Sequence, residues 1–322
     1  MSNFKKLCGI FFSILFLWLA LRKIDFQAIP SVLSTINMTF WGLMILSYTI
    51  EMLTRAHRWL IIQPNEKITF KHSINGLILT YLFNNILPAR AGELFRPYYF
   101  SQKALATSGE TLGAVVLERF FDGVMVLGLI LISFQQFSNN EMLQKASIIT
   151  AIFYGIVFIG ILLAIFKKEM FEKIIKWCLS FLPQKANDFL YNIAMKFIEG
   201  LSTIKDLKRL IKILLSSVVC WASSVLTTWL CFKAFGFEES FITASFVLTV
   251  LSISSMIPAS PGTLGVYEYF CIFLISNILG HTPEEGAAFS IILHGLQYFY
   301  ILIIGLIIAL IEGVKFTPHI NS

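Results

Sequence analysis

Three short stretches of this 322-residue chain set charged residues among apolar neighbours. The first, NNILPARAGELFRPYYF, runs from Asn84 to Phe100 and carries Asn85, Arg90, Glu93 and Arg96 between prolines and a glycine. Two guanidiniums with a carboxylate between them make an anion receiver that can also release its ligand, because Glu93 offsets part of the charge. The second, ERFFD, holds Glu118, Arg119 and Asp122. At i,i+3 and i,i+4 these share one helical face. Charge inside an apolar run is costly, so the group reads either as a functional site or as an ion pair fixing this segment against its neighbour. The third, SSMIPASPGTLGVYEYF, runs from Ser254 to Phe270. Ser260 is placed as an N-cap, Pro261 as the first helical residue, and Gly262 and Thr263 follow. Such a helix start offers free N–H groups and a partial positive charge to an anion. Glu268 is the acid of that stretch.

Further charges lie in IEMLTRAHRW, where Glu51 precedes Arg55 by four residues and Arg58 follows. Near the end of their run, these residues fit either snorkelling to lipid headgroups or a cavity lining. His294 in the last apolar run reads as a satisfied core histidine. The chain has no H-E-x-x-H, G-x-S-x-G or G-x-x-x-x-G-K-[ST], so it carries none of the zinc, esterase or nucleotide signatures. The five cysteines show no CxxC and no metal spacing. The expectation is therefore a protein that is not an enzyme and holds no cofactor or metal.

The elements that must position these residues are apolar. Hydrophobic residues make up 57% of the chain, charged residues 14%, and 31 positions are phenylalanine. A soluble surface needs more charge than that. Several segments reach the roughly 18–20 apolar residues that cross a hydrocarbon core. The composition predicts an all-α polytopic membrane protein, and the net charge of +6 reads as topology and lipid contact rather than nucleic-acid binding.

Residues 1–39 hold a first span and loop, with a basic start and no small-residue cleavage site. Further spans are predicted at about 40–62, 113–136, 146–166, 209–235 and 286–312. Two segments, about 71–101 and 241–279, are apolar but broken midway by proline and glycine. Residues 167–208 carry apolar positions at three- and four-residue spacing among lysines, as interfacial amphipathic helices do. Ten lysines and arginines fall in 167–212. The positive-inside rule then places both termini and this linker in the cytoplasm of a bacterial or archaeal inner membrane.

A shift of 170 residues aligns the first and third stretches without a gap. Pro88, Ala89, Gly92, Leu94, Tyr99 and Phe100 meet Pro258, Ala259, Gly262, Leu264, Tyr269 and Phe270. Outside the stretch, Ser47, Trp59 and Leu60 meet Ser217, Trp229 and Leu230. The order of span, broken hairpin and span occurs twice, over 40–166 and 209–313, with a tail at 314–322. In the predicted topology the two repeats are inverted, each with a re-entrant or twice-crossing hairpin. Broken helices at matching positions point to a transport site near the midplane.

These motifs resemble those of the lysylphosphatidylglycerol synthase/flippase membrane domain, which is also the membrane half of multiple-peptide-resistance-factor proteins. The family pattern resembles N-x-x-PAR-x-GE-x-x-R, ER-x-x-D and P-x-SPG-x-x-G-x-x-E. Here these read Asn85 to Arg96, Glu118 to Asp122, and Pro258 to Glu268. The resemblance implies movement of an anionic, aminoacylated or sugar-linked lipid between leaflets. Full synthases append an aminoacyl-transferase domain, whereas this sequence stops at Ser322, so the expectation is transport without lipid synthesis. The alternative expectation is a scaffold for a lipid-modifying enzyme or glycosyltransferase, docked through 167–208. The apolar surface also permits a homodimer.

Overall fold

The structure, a computed structural model, describes residues 15–22, 24–63, 65, 67–134, 167–184, 207–257 and 261–314, with isolated positions between 148 and 159 and between 187 and 195. The described residues are helical, with no strand among them. Residues 15–21 are helical, followed by α1 (Ile29–Ser34), α2 (Met38–Ile62) and α3 (Phe70–Ile86). A 3₁₀ turn over Pro88–Leu94 leads into α4 (Phe95–Gln102) and α5 (Ser108–Phe134). Then come α6 (Lys168–Leu179), α7 (Leu207–Ala234) and α8 (Phe241–Ser254). A second 3₁₀ turn, Pro261–Thr263, precedes α9 (Val266–Ile272), a π-helical segment (Phe273–Ile278) and α10 (Pro283–Ile311).

Local sequence explains where the long helices begin. Asn37 caps α2 by accepting from the Thr39 N–H at 3.0 Å. Thr107 and Glu110 satisfy each other's backbone N–H groups at the start of α5. Thr282 and Glu285 do the same for α10, with Pro283 at its first position. The last two are reciprocal capping pairs, and all three satisfy donors left open by the first helical turn. At 1.5 Å per residue, α7 and α10 are about 42 Å long, enough for a hydrocarbon core of about 30 Å. Both are apolar enough to cross a membrane. Helices α2 and α5 have the length but carry charges in mid-helix.

The predicted spans at 40–62, 113–136, 209–235 and 286–312 correspond to α2, α5, α7 and α10. The span at 146–166 lies almost wholly outside the described residues, as does most of the first span. Both broken hairpins contain a helix, a short 3₁₀ turn and a second helix. In the linker, α6 is described and much of the rest is not.

The chain divides into two compact units. Unit 1 comprises Met1–Thr35, Lys71–Arg96 and Ser254–Ser322, and unit 2 comprises Ile36–Phe70 and Pro97–Ile253. Residues 40–166 and 209–313 each contribute to both units.

In unit 2, α2 and α7 lie against each other along most of their length. The Asn37 N–H donates to the Ala234 carbonyl and the Ser47 hydroxyl to the Ser223 carbonyl. Arg58 reaches the Ser217 hydroxyl, and Arg209 reaches the carbonyls of Ile61 and Ile62. Numbers rising on one helix as they fall on the other make the pair antiparallel. The hydroxyls of Ser216, Ser217, Ser223, Ser224, Thr227 and Thr228 each donate to a carbonyl three or four residues earlier. That leaves α7 with satisfied polar groups and small side chains, so a partner helix can approach closely. On its other side, Cys220 and Trp221 pack with Val126 and Ile130 of α5.

In unit 1, α3 runs antiparallel to α10. Asn75 donates to Glu312 at 2.6 Å, Leu82 packs on Gly305, and Asn85 donates to the Tyr298 carbonyl at 3.4 Å. A methyl group at Gly305 would lie 2.9 Å from the Leu82 Cβ, closer than packed carbon atoms approach. Helix α9 and the π segment pack on α10, where Gly286 faces the Ile272 backbone. Ala20, Ile24, Ile29, Ile272 and Ala287 form an apolar cluster beside them.

Candidate functional site

Unit 1 holds both broken turns, and they pack against each other. In the first turn, Gly92 sits against the end of α3. A Cβ there would collide with the Thr80 carbonyl and the Asn84 amide, so the turn closes on α3 only if this residue has no side chain. Arg90 takes a left-handed conformation, φ 53°. For a residue with a Cβ that costs about 1–2 kcal/mol. Its side chain is exposed and that of Glu93 is half-buried. Arg96 is 1% exposed, and its Nε donates to the Thr80 hydroxyl at 3.2 Å. The turn therefore sends one arginine outward and buries the other against the side of α3 at Thr80. Asn85 is engaged with the α10 backbone at Tyr298.

The second turn departs from the predicted helix start. Ser260 lies outside the described residues. Gly262 and Thr263 are both left-handed, at φ 65° and 59°, which a right-handed helix cannot include. Helix α9 therefore begins at Val266, beyond the predicted start. The Glu268 Oε2 accepts from the Gly265 N–H at 2.6 Å, so the carboxylate takes up a donor expected to await an anion. Gly262 packs on Tyr298, where a Cβ would lie 2.7 Å from the ring.

The other oxygen of Glu268 meets His294. Its Oε1 lies 2.6 Å from Nδ1 of the ring. The imidazole stacks on Tyr267 with centroids 4.1 Å apart and meets Tyr298 edge-on at 6.4 Å. His294 is thus satisfied, as expected of a core histidine, but its partner is a motif carboxylate. The two residues are 26 positions apart, and only the return of α10 along α9 brings them together.

Unit 2 gathers the other charged motifs. Asp122 Oδ1 accepts from Arg58 at 2.8 Å and from the Trp221 indole at 3.1 Å. Its Oδ2 accepts from Arg119 at 3.1 Å, the i,i+3 pair expected from the sequence. Glu118 pairs with Arg58 at 3.3 Å, and Arg55 with Glu51 at 2.8 Å. The Arg55 guanidinium also lies over Trp221 and 3.6 Å from Asp122. Arg58 and Glu118 are fully buried, and Glu51, Arg55 and Asp122 nearly so. Three arginines face three carboxylates. The arginines of α2 are thus drawn inward by α5 rather than released toward headgroups. Arg55, Arg58 and Glu51 belong to this cluster although the sequence left their role open. Their three- and four-residue spacing on α2, matching that of Glu118 and Asp122 on α5, was the available signal.

Among the described residues no group of three or more histidine, cysteine, aspartate or glutamate side chains is arranged to hold a metal. The chemistry on hand is anion contact by guanidinium and proton exchange at a carboxylate–imidazole pair.

The sequence was compared with known proteins. The family model described as the lysylphosphatidylglycerol synthase TM region matches residues 6–305. A UPF0104 membrane protein of Methanocaldococcus jannaschii is 28% identical over 231 residues, covering 70% of this chain and 91% of that protein. One from Pyrococcus horikoshii is 24% identical over 252 residues, covering 72% and 75%. One from Methanothermobacter thermautotrophicus is 21% identical over 253 residues, covering 73% of each. With its three charged motifs inside the matched residues, this chain belongs to the lysylphosphatidylglycerol synthase transmembrane-region family of membrane proteins.

Proposed function

We propose that this protein is a lipid transporter that moves a lipid with an anionic, aminoacylated or sugar-linked headgroup between leaflets. The observation that carries the reading is Arg96. It is a guanidinium buried on a broken segment whose turn packs against the matching turn of the second motif. A lipid phosphate needs such a donor away from bulk water, and broken helices supply it beside freed backbone groups. Arg90 meets the headgroup first, Arg96 holds the phosphate, and Glu93 keeps the hold weak enough for release.

The inverted-repeat reading draws support from element order. The sequence α2, α3, turn, α4, α5 recurs as α7, α8, turn, α9, α10, and the matching helices α2 and α7 are antiparallel. On this reading the hairpins are re-entrant, the termini and the 167–208 linker are cytoplasmic, and the charged cluster of unit 2 is a structural pin.

Native lipid mass spectrometry on gently purified protein tests the proposal, wild type beside the Arg90→Ala/Arg96→Ala double variant. One lipid with a phosphate or sugar headgroup, enriched in wild type and lost in a folded variant, is expected. An identical lipid profile in both would sink the proposal.

A second reading, a scaffold for a lipid-modifying enzyme or glycosyltransferase, has one observation of its own. Helix α6 leaves Met170, Ile174 and Trp177 exposed along one face, continued by Phe181. Ile174→Ser/Trp177→Ser/Phe181→Ser would then release the partner enzyme in co-purification while leaving bound lipid as it was.

A further inference from the structure

We infer that Glu268 and His294 form a proton-binding site that couples lipid movement to a proton gradient, an inference that rests on the transport reading above. A carboxylate and an imidazole 2.6 Å apart and mostly buried are a costly arrangement inside an apolar protein, and such pairs recur where protons cross membranes. Imidazole is also the side chain that ordinarily exchanges its proton near neutral pH.

The geometry assigns the proton's place. With Nδ1–H donating to Glu268 Oε1, the second nitrogen, Nε2, is the one that gains or loses a proton. The Nδ1 bond persists in both states, so the pair changes charge by one unit without breaking. A proton taken up by Nε2 from water on one side is returned to water on the other, and nothing else is consumed.

Two contacts carry that change to the lipid site. Tyr298, one turn along α10 from His294, packs on Gly262, and its carbonyl accepts from Asn85 at the root of the first turn. The same carboxylate caps Gly265 at the start of α9. The register of α3 against α10 pairs Asn75 with Glu312 and Asn85 with Tyr298. His294 therefore stands one turn past Asn85, at the level where α3 has ended and the turn carrying Arg90 and Glu93 begins.

Tyr267 and Tyr298 contact the ring, and Cys271 lies one turn along α9. Residues 15–21, α1, the Pro261–Thr263 turn and the π segment add no ionisable group. The first turn, which packs on the Pro261–Thr263 turn, carries Arg90 and Glu93. A proton gained by the ring adds one positive charge to the stretch of α10 whose Tyr298 meets Asn85 and Gly262. Proton uptake therefore favours an anionic headgroup, and by linkage the headgroup favours the proton.

The test uses full-length protein in vesicles of phosphatidylcholine and phosphatidylglycerol, with a fluorescent phosphatidylglycerol probe and a lumenal pH dye. Wild type should move the probe about tenfold faster under an imposed pH gradient, a factor of ten being 1.4 kcal/mol of drive. A protonophore should abolish the gain. His294→Gln should lose the gradient response, and Glu268→Gln, which keeps an acceptor for the Gly265 N–H, should lose it too. Equal probe rates with and without the gradient overturn coupling and leave lipid transport standing. Proton flux into the lumen without probe movement, lost in both variants, keeps the proton site and rejects phosphatidylglycerol as cargo. Absence of any protein-dependent proton flux overturns the inference whatever the probe does.

Discussion

Arginine and carboxylate meet in both units, in two different ways. In unit 2, three arginines and three carboxylates from α2 and α5 neutralise one another, with Trp221 and Ser217 of α7 adding hydrogen bonds. In unit 1 the first turn has two arginines to one carboxylate; Arg96 is buried with Thr80 among its partners, and Arg90 is exposed on left-handed backbone. A balanced buried set holds helices in place, since each charge has partners that cannot leave. A set with excess positive charge on a strained turn is suited to a ligand that comes and goes. On the proposed reading, the same residue types serve as a pin in one unit and as a receiver in the other.

The sharpest way to break this contrast is Asp122→Ala, which removes the acceptor shared by Arg58, Arg119 and the Trp221 indole. Leaving buried charge uncompensated costs about 3–5 kcal/mol, so thermal unfolding in detergent should show most of the folded protein lost. Near-wild-type stability would mean the cluster is not a pin. Gly92→Ala comes next. Its methyl must displace α3 backbone, an overpacking cost of about 1–3 kcal/mol. Bound lipid, read by native mass spectrometry, should fall with it.

Arg90→Gly should change the sign. Relief of the left-handed strain is worth about 1 kcal/mol, so the melting temperature should rise while bound lipid falls. A variant that is both more stable and fully lipid-loaded would place Arg90 outside the receiver. Ser47→Ala is the smallest. Loss of its bond to the Ser223 carbonyl should cost about 0.6 kcal/mol, visible as a small drop in melting temperature with no change in lipid.

The helices were legible because burying backbone in lipid leaves few options, and apolar runs of the right length mark them. The breaks between helices were legible from Pro88, Gly92, Pro261 and Gly262. The exact start of α9 was not, because the capping residues Ser260 and Pro261 fit a helix whose backbone is in fact interrupted by left-handed Gly262 and Thr263. The pairing of Arg58 with Glu118 and Asp122 was hidden for another reason. Sequence spacing reports which residues share a face of one helix, but not which helix that face meets. His294 and Glu268 show the same limit, since each looks ordinary until α10 folds back along α9.

Arg209 has a consequence for how the protein is made. It donates to the carbonyls of Ile61 and Ile62, closing the end of a helix synthesised almost 150 residues earlier. At ordinary translation speeds that is a wait on the order of ten seconds. Until α7 is made, the Ile61 and Ile62 carbonyls lack this donor and Arg58 lacks the Ser217 hydroxyl. The expected outcome is that the first half matures only once the second has been made. Cutting the gene between them should yield two fragments that are degraded when expressed singly and recovered when co-expressed.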